Sequence, residues 1–320
     1  MTEHLLIPFA ACAGPAWANA MKALPANSFA HLTRLLQGMK PIGMTRGDEQ
    51  SLSPPHERAQ AAAQGLPDAP DGLIPWAALD AHRAGLAAGK AWAFITPSHW
   101  AMGREHATLT DPSELALTKG EAETLVAAMQ PYFTTEGITL HAVAPGRWLA
   151  EGEVFRSLPT ASLDRVLGRN VDAWLPDKTK AGAIRRLQNE MQMLLYTHPL
   201  NDARSNNRQR TVNSFWISGS GALPAAAAAA AVGNGSVHVT HTLAQAVFAD
   251  DWTAYAAAWA ALDAGEIAQL LARQKAGSVV RITLCGDRHA QTLESTNVGL
   301  LARISNLFSP QPTFSLLEQL

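Results

Sequence analysis

Apolar and polar positions along the chain follow two periods, and the period switches repeatedly between that of a strand and that of a helix. Leu5–Ala11 is a continuous apolar run that opens onto Ala13-Gly14-Pro15, as a buried strand would. Leu32–Met39 reads as helix and Gly43–Pro55 as loop. Ser53 or Pro54 is a good helix start, because proline tolerates the first turn and Glu57 complements the positive end. Gly65–Gly72 is a turn region, after which helical sequence resumes at Trp76–Ala88. Ala91–Ile95 is a short apolar strand running into Thr96-Pro97-Ser98-His99-Trp100. Thr118 and Glu121 form a capping box for a helix through about Tyr132, and Ile138–Val143 alternates as a strand before Pro145-Gly146. Further on, Val237–His241 and Val279–Leu284 read as strands, and Leu243–Leu262, Ile267–Lys275 and Asn297–Phe308 as helices. The alanine run Ala225–Ala231 reads as a low-complexity surface connection. This alternation predicts a single α/β domain over residues 1–320, with a mostly parallel sheet flanked by helices and a subdivision near residues 110–180.

The segment Arg185–Gly221 organises the rest. Its helix carries an apolar stripe of Ile184, Leu187, Met191, Leu194 and Leu195, and a separate polar stripe of Arg185, Asn189, Gln192 and Tyr196. Amides on that second stripe can hydrogen-bond a ligand or a neighbouring backbone without a charge to bury. A polar turn, Thr197-His198-Pro199-Leu200-Asn201-Asp202-Ala203-Arg204, follows. A strand from Val212 to Ile217 then empties into Ser218-Gly219-Ser220-Gly221.

Composition narrows the choices. A net charge of −2 over 320 residues gives no basic excess for nucleic acid and no acidic tail. Cys12 and Cys285 are the two cysteines, so neither a disulfide framework nor a zinc ribbon is implied. Leu5–Ala13 is short, broken by Pro8 and preceded by Glu3 and His4, which makes a poor leader; no stretch reaches membrane-spanning length. A cytoplasmic protein is expected, with no nucleic-acid or membrane partner. Nine tryptophans against three tyrosines is unusual. Trp100, Trp148 and Trp216 sit beside polar loop residues where a ring could wall a pocket, although core packing is the simpler reading of each.

The candidate chemistry is an anion site. His198, Asn201 and Arg204 recur every three residues, so at helical spacing they project together and offer a proton donor, a neutral amide and a planar fork for phosphate or carboxylate. A polar connection with capping roles is the plain alternative. Backbone N–H groups of Ser218, Gly219 and Gly221 could cradle a phosphate, though the run matches neither a Walker loop nor G-x-G-x-x-G. Strand ends at Ile95, Ile217 and Leu284 all meet polar or glycine-rich residues, and in an open parallel sheet such ends share one crevice. His99, His106, Asp287 and His289 are candidate metal ligands. His198, His99 and Asp287 are candidate catalytic groups, against surface or structural roles for each.

Beyond these readings the chain resembles a family. Thr197–Arg204 and Val212–Gly221, together with Ser51-Leu52-Ser53-Pro54-Pro55-His56-Glu57-Arg58, Thr96–Trp100 through His106, and Leu158–Arg165, are similar to bacterial RpfE-type regulatory proteins, also described as predicted cofactor-independent phosphoglycerate mutases. More distantly, His198, Pro199, Asn201, Arg204, Asn213, Gly219 and Gly221 match a segment of archaeal-type independent mutases. That resemblance implies an alkaline-phosphatase-like fold, entire or reduced, with two divalent metals such as Mn or Zn and a serine or threonine nucleophile. Together with the amide stripe and the glycine run, it gives an expected ligand site of Asn189, Gln192, Asn201, Arg204, Asn213, Ser218, Gly219 and Gly221. The chain departs from the pattern at its first strand, where Ala11-Cys12-Ala13-Gly14 replaces the expected Asp-Gly turn. The leading expectation is a mutase-like cytoplasmic protein binding a small phosphorylated anion, with a degenerate metal site and a binding or regulatory role. An active metal-dependent mutase or phosphotransferase is one alternative. A protein-interaction module, with a protein partner and polar motifs that brace the fold, is the other.

Overall fold

The computed structural model describes residues 3–25, 27–179, 181–233, 237–296 and 313–320. In chain order the elements are β1 (Glu3–Ile7), α1 (Pro15–Ala23), α2 (Ala30–Leu36), β2 (Met39–Arg46), α3 (Pro55–Ala63), α4 (Trp76–Arg83), β3 (Ala91–Ser98), β4 (Trp100–Met102) and β5 (Ala107–Leu109). There follow α5 (Lys119–Thr135), β6 (Thr139–Ala144), β7 (Arg147–Glu151), α6 (Leu163–Val166), α7 (Gly182–Tyr196), α8 (Pro199–Asn206), β8 (Ser214–Ala222) and α9 (Ala225–Gly233). The chain continues through β9 (Val237–Val239), α10 (Ala244–Phe248), α11 (Trp252–Leu262), α12 (Ala268–Lys275), β10 (Val280–Cys285), β11 (His289–Ser295) and α13 (Thr313–Leu317). These elements form two compact units. The first comprises Met1–Gln50, Pro54–Leu66 and Gly233–Leu320; the second comprises Ser51–Ser53 and Pro67–Val232.

The first unit is α/β. Among the described residues its sheet has five strands in the order β2-β11-β10-β1-β9. β9, β1 and β10 run parallel, β11 reverses, and β2 reverses again, so four of the five strands point the same way. Alternation then divides the sheet. Leu5, Ile7, Ile282, Leu284 and Leu293 enter one large core with Trp17, Leu32, Tyr255, Trp259 and Leu271 from the helices on that side. The opposite face carries a smaller apolar group, Leu6, Cys285 and Ala290, under Ala59 of α3. Burial pushes the Cys285 thiol up, so it sits in this group as a small neutral hydrophobe. α2 starts on a buried carboxylate: Asp263 accepts from the backbone N–H groups of His31 at 3.1 Å and Leu32 at 2.8 Å.

The second unit is built on an antiparallel sheet, β6-β7-β3-β8, with a separate hairpin of β4 and β5. Ala91, Ala93 and Ile95 of β3 pack with Trp148, Ala150, Phe215 and Ile217 against Leu125, Met129 and Phe133 of α5 and Ile184, Leu187 and Met191 of α7. α5 begins with the expected capping box. Thr118 Oγ1 accepts from the Glu121 N–H at 3.2 Å, and Glu121 Oε2 accepts from the Thr118 N–H at 2.8 Å. No helix among the described residues is long and apolar enough to cross a membrane.

Several expectations are corrected here. Ile95 and Ile217 do not open onto a common crevice. Ile95 pairs with Ile217 across antiparallel strands, which therefore continue in opposite directions, and Leu284 belongs to the sheet of the other unit. The Ser218–Gly221 run is not a loop. It continues β8, and Gly219 and Ser220 both oppose Ala93 in a β-bulge between the pairs Phe94–Ser218 and Trp92–Gly221. Gly219 takes the left-handed φ of 60° that such a bulge asks of its first residue, and a Cβ there would stand 2.9 Å from the Phe94 ring. The glycines thus serve the sheet, with their backbone directed to β3. Part of the expected Gly43–Pro55 loop is strand β2, and Ala225–Ala231 is helical, in keeping with alanine's propensity. The helix expected at Asn297–Phe308 lies outside the described residues.

Candidate functional site

The polar turn between α7 and β8 is helical. His198 caps α8, its Nδ1 accepting from the Leu200 N–H at 3.1 Å, and Pro199 occupies the first turn. That places Asn201 and Arg204 on the inner side of a short helix, where both are buried. Asn201 donates from Nδ2 to the Leu195 and Val212 carbonyls, each at 2.7 Å, and accepts from the Val212 N–H at 3.0 Å. Arg204 is only 2 % exposed. Its Nη1 meets Glu121 Oε1 at 2.5 Å, its Nε donates to the Arg210 carbonyl at 2.8 Å, and its Nη2 donates to the Leu115 carbonyl. Partial desolvation works against the Glu121 carboxylate. The Thr118 N–H, the Arg204 guanidinium and the Thr118 hydroxyl outweigh it and hold the carboxyl below its usual range.

Asn213 acts likewise at the start of β8. Its Oδ1 accepts from the Trp100 N–H at 2.7 Å and its Nδ2 donates to the Trp100 carbonyl at 3.0 Å, so the side chain imitates a paired strand residue. On α7, Gln188 donates to the Phe215 carbonyl at 3.1 Å and Gln192 reaches Ser214 Oγ at 3.4 Å, while Asn189 is exposed. Ser218 is buried in β8. The neighbouring Ser220 hydroxyl is held by the Leu158 carbonyl at 2.5 Å and Thr160 Oγ1 at 2.9 Å. Arg204, Asn201, Asn213 and Gln188 therefore brace the second unit from within.

The metal and catalytic candidates divide. His99 and His106 belong to the second unit, Asp287 and His289 to the first. His99 Nδ1 lies 2.9 Å from the Thr211 carbonyl. A carbonyl only accepts, so Nδ1 carries a proton, and in the neutral ring the lone pair is on Nε2. His106 is exposed in the turn of the β4–β5 hairpin. Asp287 Oδ2 accepts from the Ala13 N–H at 2.7 Å and so fastens the chain beyond β1. The His289 N–H donates to the Leu320 carbonyl at 2.8 Å, and its buried Nδ1 has no hydrogen-bond partner among the described residues. Two divalent ions need a converging set of carboxylates and imidazoles. Among the described residues no three His, Cys, Asp or Glu side chains are grouped to hold even one.

One residue of this region was not nominated from the sequence. Among the described residues six helices end with the paired bonds of a Schellman turn, from the residue after the C-cap and from the one beyond it. After α3, α4, α5 and α12 the left-handed position is Gly65, Gly85, Gly137 and Gly277. After α10 it is Asp250, with φ 53°. After α8 it is Arg208, with φ 58°, where the Arg208 N–H donates to the Ser205 carbonyl at 3.0 Å and the Gln209 N–H to the Arg204 carbonyl at 2.8 Å. A long side chain in this conformation costs about 1 kcal/mol relative to glycine. Arg208 is exposed and makes no ion pair among the described residues, whereas nearby Arg210 pairs with Glu114 at 2.7 Å. Its signal in the sequence is the lack of a glycine in Ser205-Asn206-Asn207-Arg208-Gln209, where a helix has to stop before β8.

No protein-family model matches the chain, and no curated protein matches it. Among solved structures it is similar to a cofactor-independent phosphoglycerate mutase from Thermoplasma acidophilum DSM 1728, at 13 % identity and a TM-score of 0.37, over 100 % of this chain and 99 % of that one. It is also similar to the PH0037 protein from Pyrococcus horikoshii, at 12 % identity and a TM-score of 0.47, over 95 % and 92 % of the two chains.

Proposed function

We propose that the protein binds a small phosphorylated anion at the connection between α8 and β8, as a cytoplasmic binding or regulatory protein. The observation that supports this reading is Arg208, an arginine that makes no ion pair among the described residues, in a backbone conformation that four other described helix ends give to glycine. Its backbone strain brings no side-chain hydrogen bond or ion pair among the described residues, which is the pattern of a residue kept for its side chain. The guanidinium offers a planar fork to a phosphoryl group. Arg204, Asn201 and Asn213 are then positioning residues that hold the segment presenting it.

A thermal-shift titration of the full chain with 3-phosphoglycerate, inorganic phosphate and sulfate tests the reading. The expected result is stabilisation by the phosphorylated acid, lost in Arg208→Gly although that variant melts higher on its own. Indifference of the natural chain to every anion, or an undiminished response in the glycine variant, would overturn it. A catalytic reading, as a mutase or phosphotransferase, is favoured by His99, whose tautomer leaves Nε2 as a base or metal ligand. It requires turnover of phosphoglycerates with added Mn or Zn that His99→Gln abolishes.

A further inference from the structure

The face of the first unit's sheet that carries α3 is apolar only in part. Beside Leu6 and Ala290 lies a cavity of about 250 Å³. One wall is helical: Ala59, Ala62 and Ala63 follow the spacing of a single face of α3 and offer only methyl groups. Met44 of β2, half exposed, closes another side. The floor is the sheet itself, and it is polar, with His4, Arg281 and Thr292 from β1, β10 and β11.

Two features of that floor point to a ligand. First, the register aligns His4, Arg281, Glu294 and Lys40 across four neighbouring strands. Among the described residues Arg281 commits only Nε, to Glu294 at 2.7 Å, which leaves its two terminal nitrogens for a ligand, and the row holds two cations against one carboxylate. Burial, and then the field of Arg281, lower the His4 pKa to about 4, so the ring adds no charge at neutral pH. Second, His4 Nε2, Thr283 Oγ1 and Thr292 Oγ1 form a chain with links of 2.7 and 2.9 Å, and Thr283 is wholly buried. The central hydroxyl has one proton. Whichever way the chain is oriented, one end donates into the cavity, as the Thr292 O–H or the His4 Nδ1–H, and the other accepts.

We propose that this cavity binds a small monocarboxylate with an apolar body. Its carboxylate takes the free edge of the Arg281 guanidinium and the donor end of the His4–Thr283–Thr292 chain, and its body lies on the alanine face of α3. The volume equals that of about eight waters, which suits a molecule of roughly ten non-hydrogen atoms. The surplus of one positive charge along the row suits a monoanion better than a dianion.

The test uses the full chain with benzoate and its uncharged counterpart benzamide, followed by ligand-observed NMR and calorimetry. Benzoate is expected to bind at least about tenfold more tightly than benzamide. Arg281→Met should erase that preference, and Ala62→Trp, which fills the cavity from the helix side, should abolish both. Ile42→Trp, from the exposed edge of the same cavity, serves if the α3 variant fails to fold. No binding of benzoate to the natural chain, equal binding of acid and amide, or binding that survives the cavity-filling variants would each overturn the proposal.

Discussion

Buried polar groups in the two units are put to different uses. In the second unit, Arg204, Asn201, Asn213 and Gln188 reach backbone groups or a partly buried carboxylate, and nearly every donor finds an acceptor within the fold. In the first unit, His4, Thr283 and Thr292 form an open chain, and Arg281 keeps part of its guanidinium unused beside a cavity. The residue types are alike, but the remaining hydrogen-bonding capacity is not. Arginine and asparagine thus identify a binding site only when some of their donors are left over, because a brace and a receptor are written in the same letters.

The largest test of this contrast is Arg204→Ala. It strands Glu121 and the Leu115 and Arg210 carbonyls, and should lower unfolding free energy by about 3–5 kcal/mol in urea titrations. A loss below about 1 kcal/mol would mean that Arg204 is no brace. Next is His4. Its folded pKa lies below the unfolded 6.5, so the unfolded state takes up the proton first as the pH falls. Stability should be full above pH 6.5 and decline towards pH 4, by about 3 kcal/mol in all. His4→Asn should flatten that slope. Glu121 does not compete in the upper window, since its lowered carboxyl pKa removes stability only at more acid pH. Asn213→Ala leaves both peptide groups of Trp100 without their partner and should cost about 2 kcal/mol, read from the urea midpoint. Smallest and opposite in sign, Arg208→Gly should raise stability by about 1 kcal/mol, because glycine enters the left-handed position without strain. A decrease instead would assign Arg208 a structural contact and remove the support for the anion site.

Elements with a strong local cause could be read from the sequence. The capping box at Thr118 and Glu121, the proline-started α3, and the apolar runs of β1, β3 and β10 were visible, because each depends on neighbours a few residues away. β2 was missed because it is an edge strand with nearly every side chain exposed, so no alternation marks it. β7 and β11 were hidden for another reason: each returns from the preceding strand through a tight hairpin, and Pro145-Gly146 and Gly286–Arg288 read as the ends of β6 and β10 rather than as turns into a second strand. Arg204 and Asn201 stand out in the sequence by their helical spacing. Their role was not legible, since it depends on Glu121, Leu115 and Arg210 being brought to them by the fold. The cavity of the first unit left no trace in the sequence, because His4, Ala62 and Arg281 come together only through sheet register.

The parallel strands of the first unit also bear on how the chain is made. Glu3 of β1 pairs with Val280 of β10, and Met39 of β2 with Ser295 of β11. During synthesis the opening strands therefore leave the ribosome without partners, while the whole of Pro67–Val232 is translated and free to fold around its own sheet. Until β9, β10 and β11 arrive, Leu5, Leu6 and Ile7 form an unpaired apolar strand, the kind of segment that holdase chaperones capture and that misassembles when none is present. Assembly of the first unit is thus delayed by translation itself, and slowing elongation before Val280 should lengthen the interval in which nascent chains are open to aggregation.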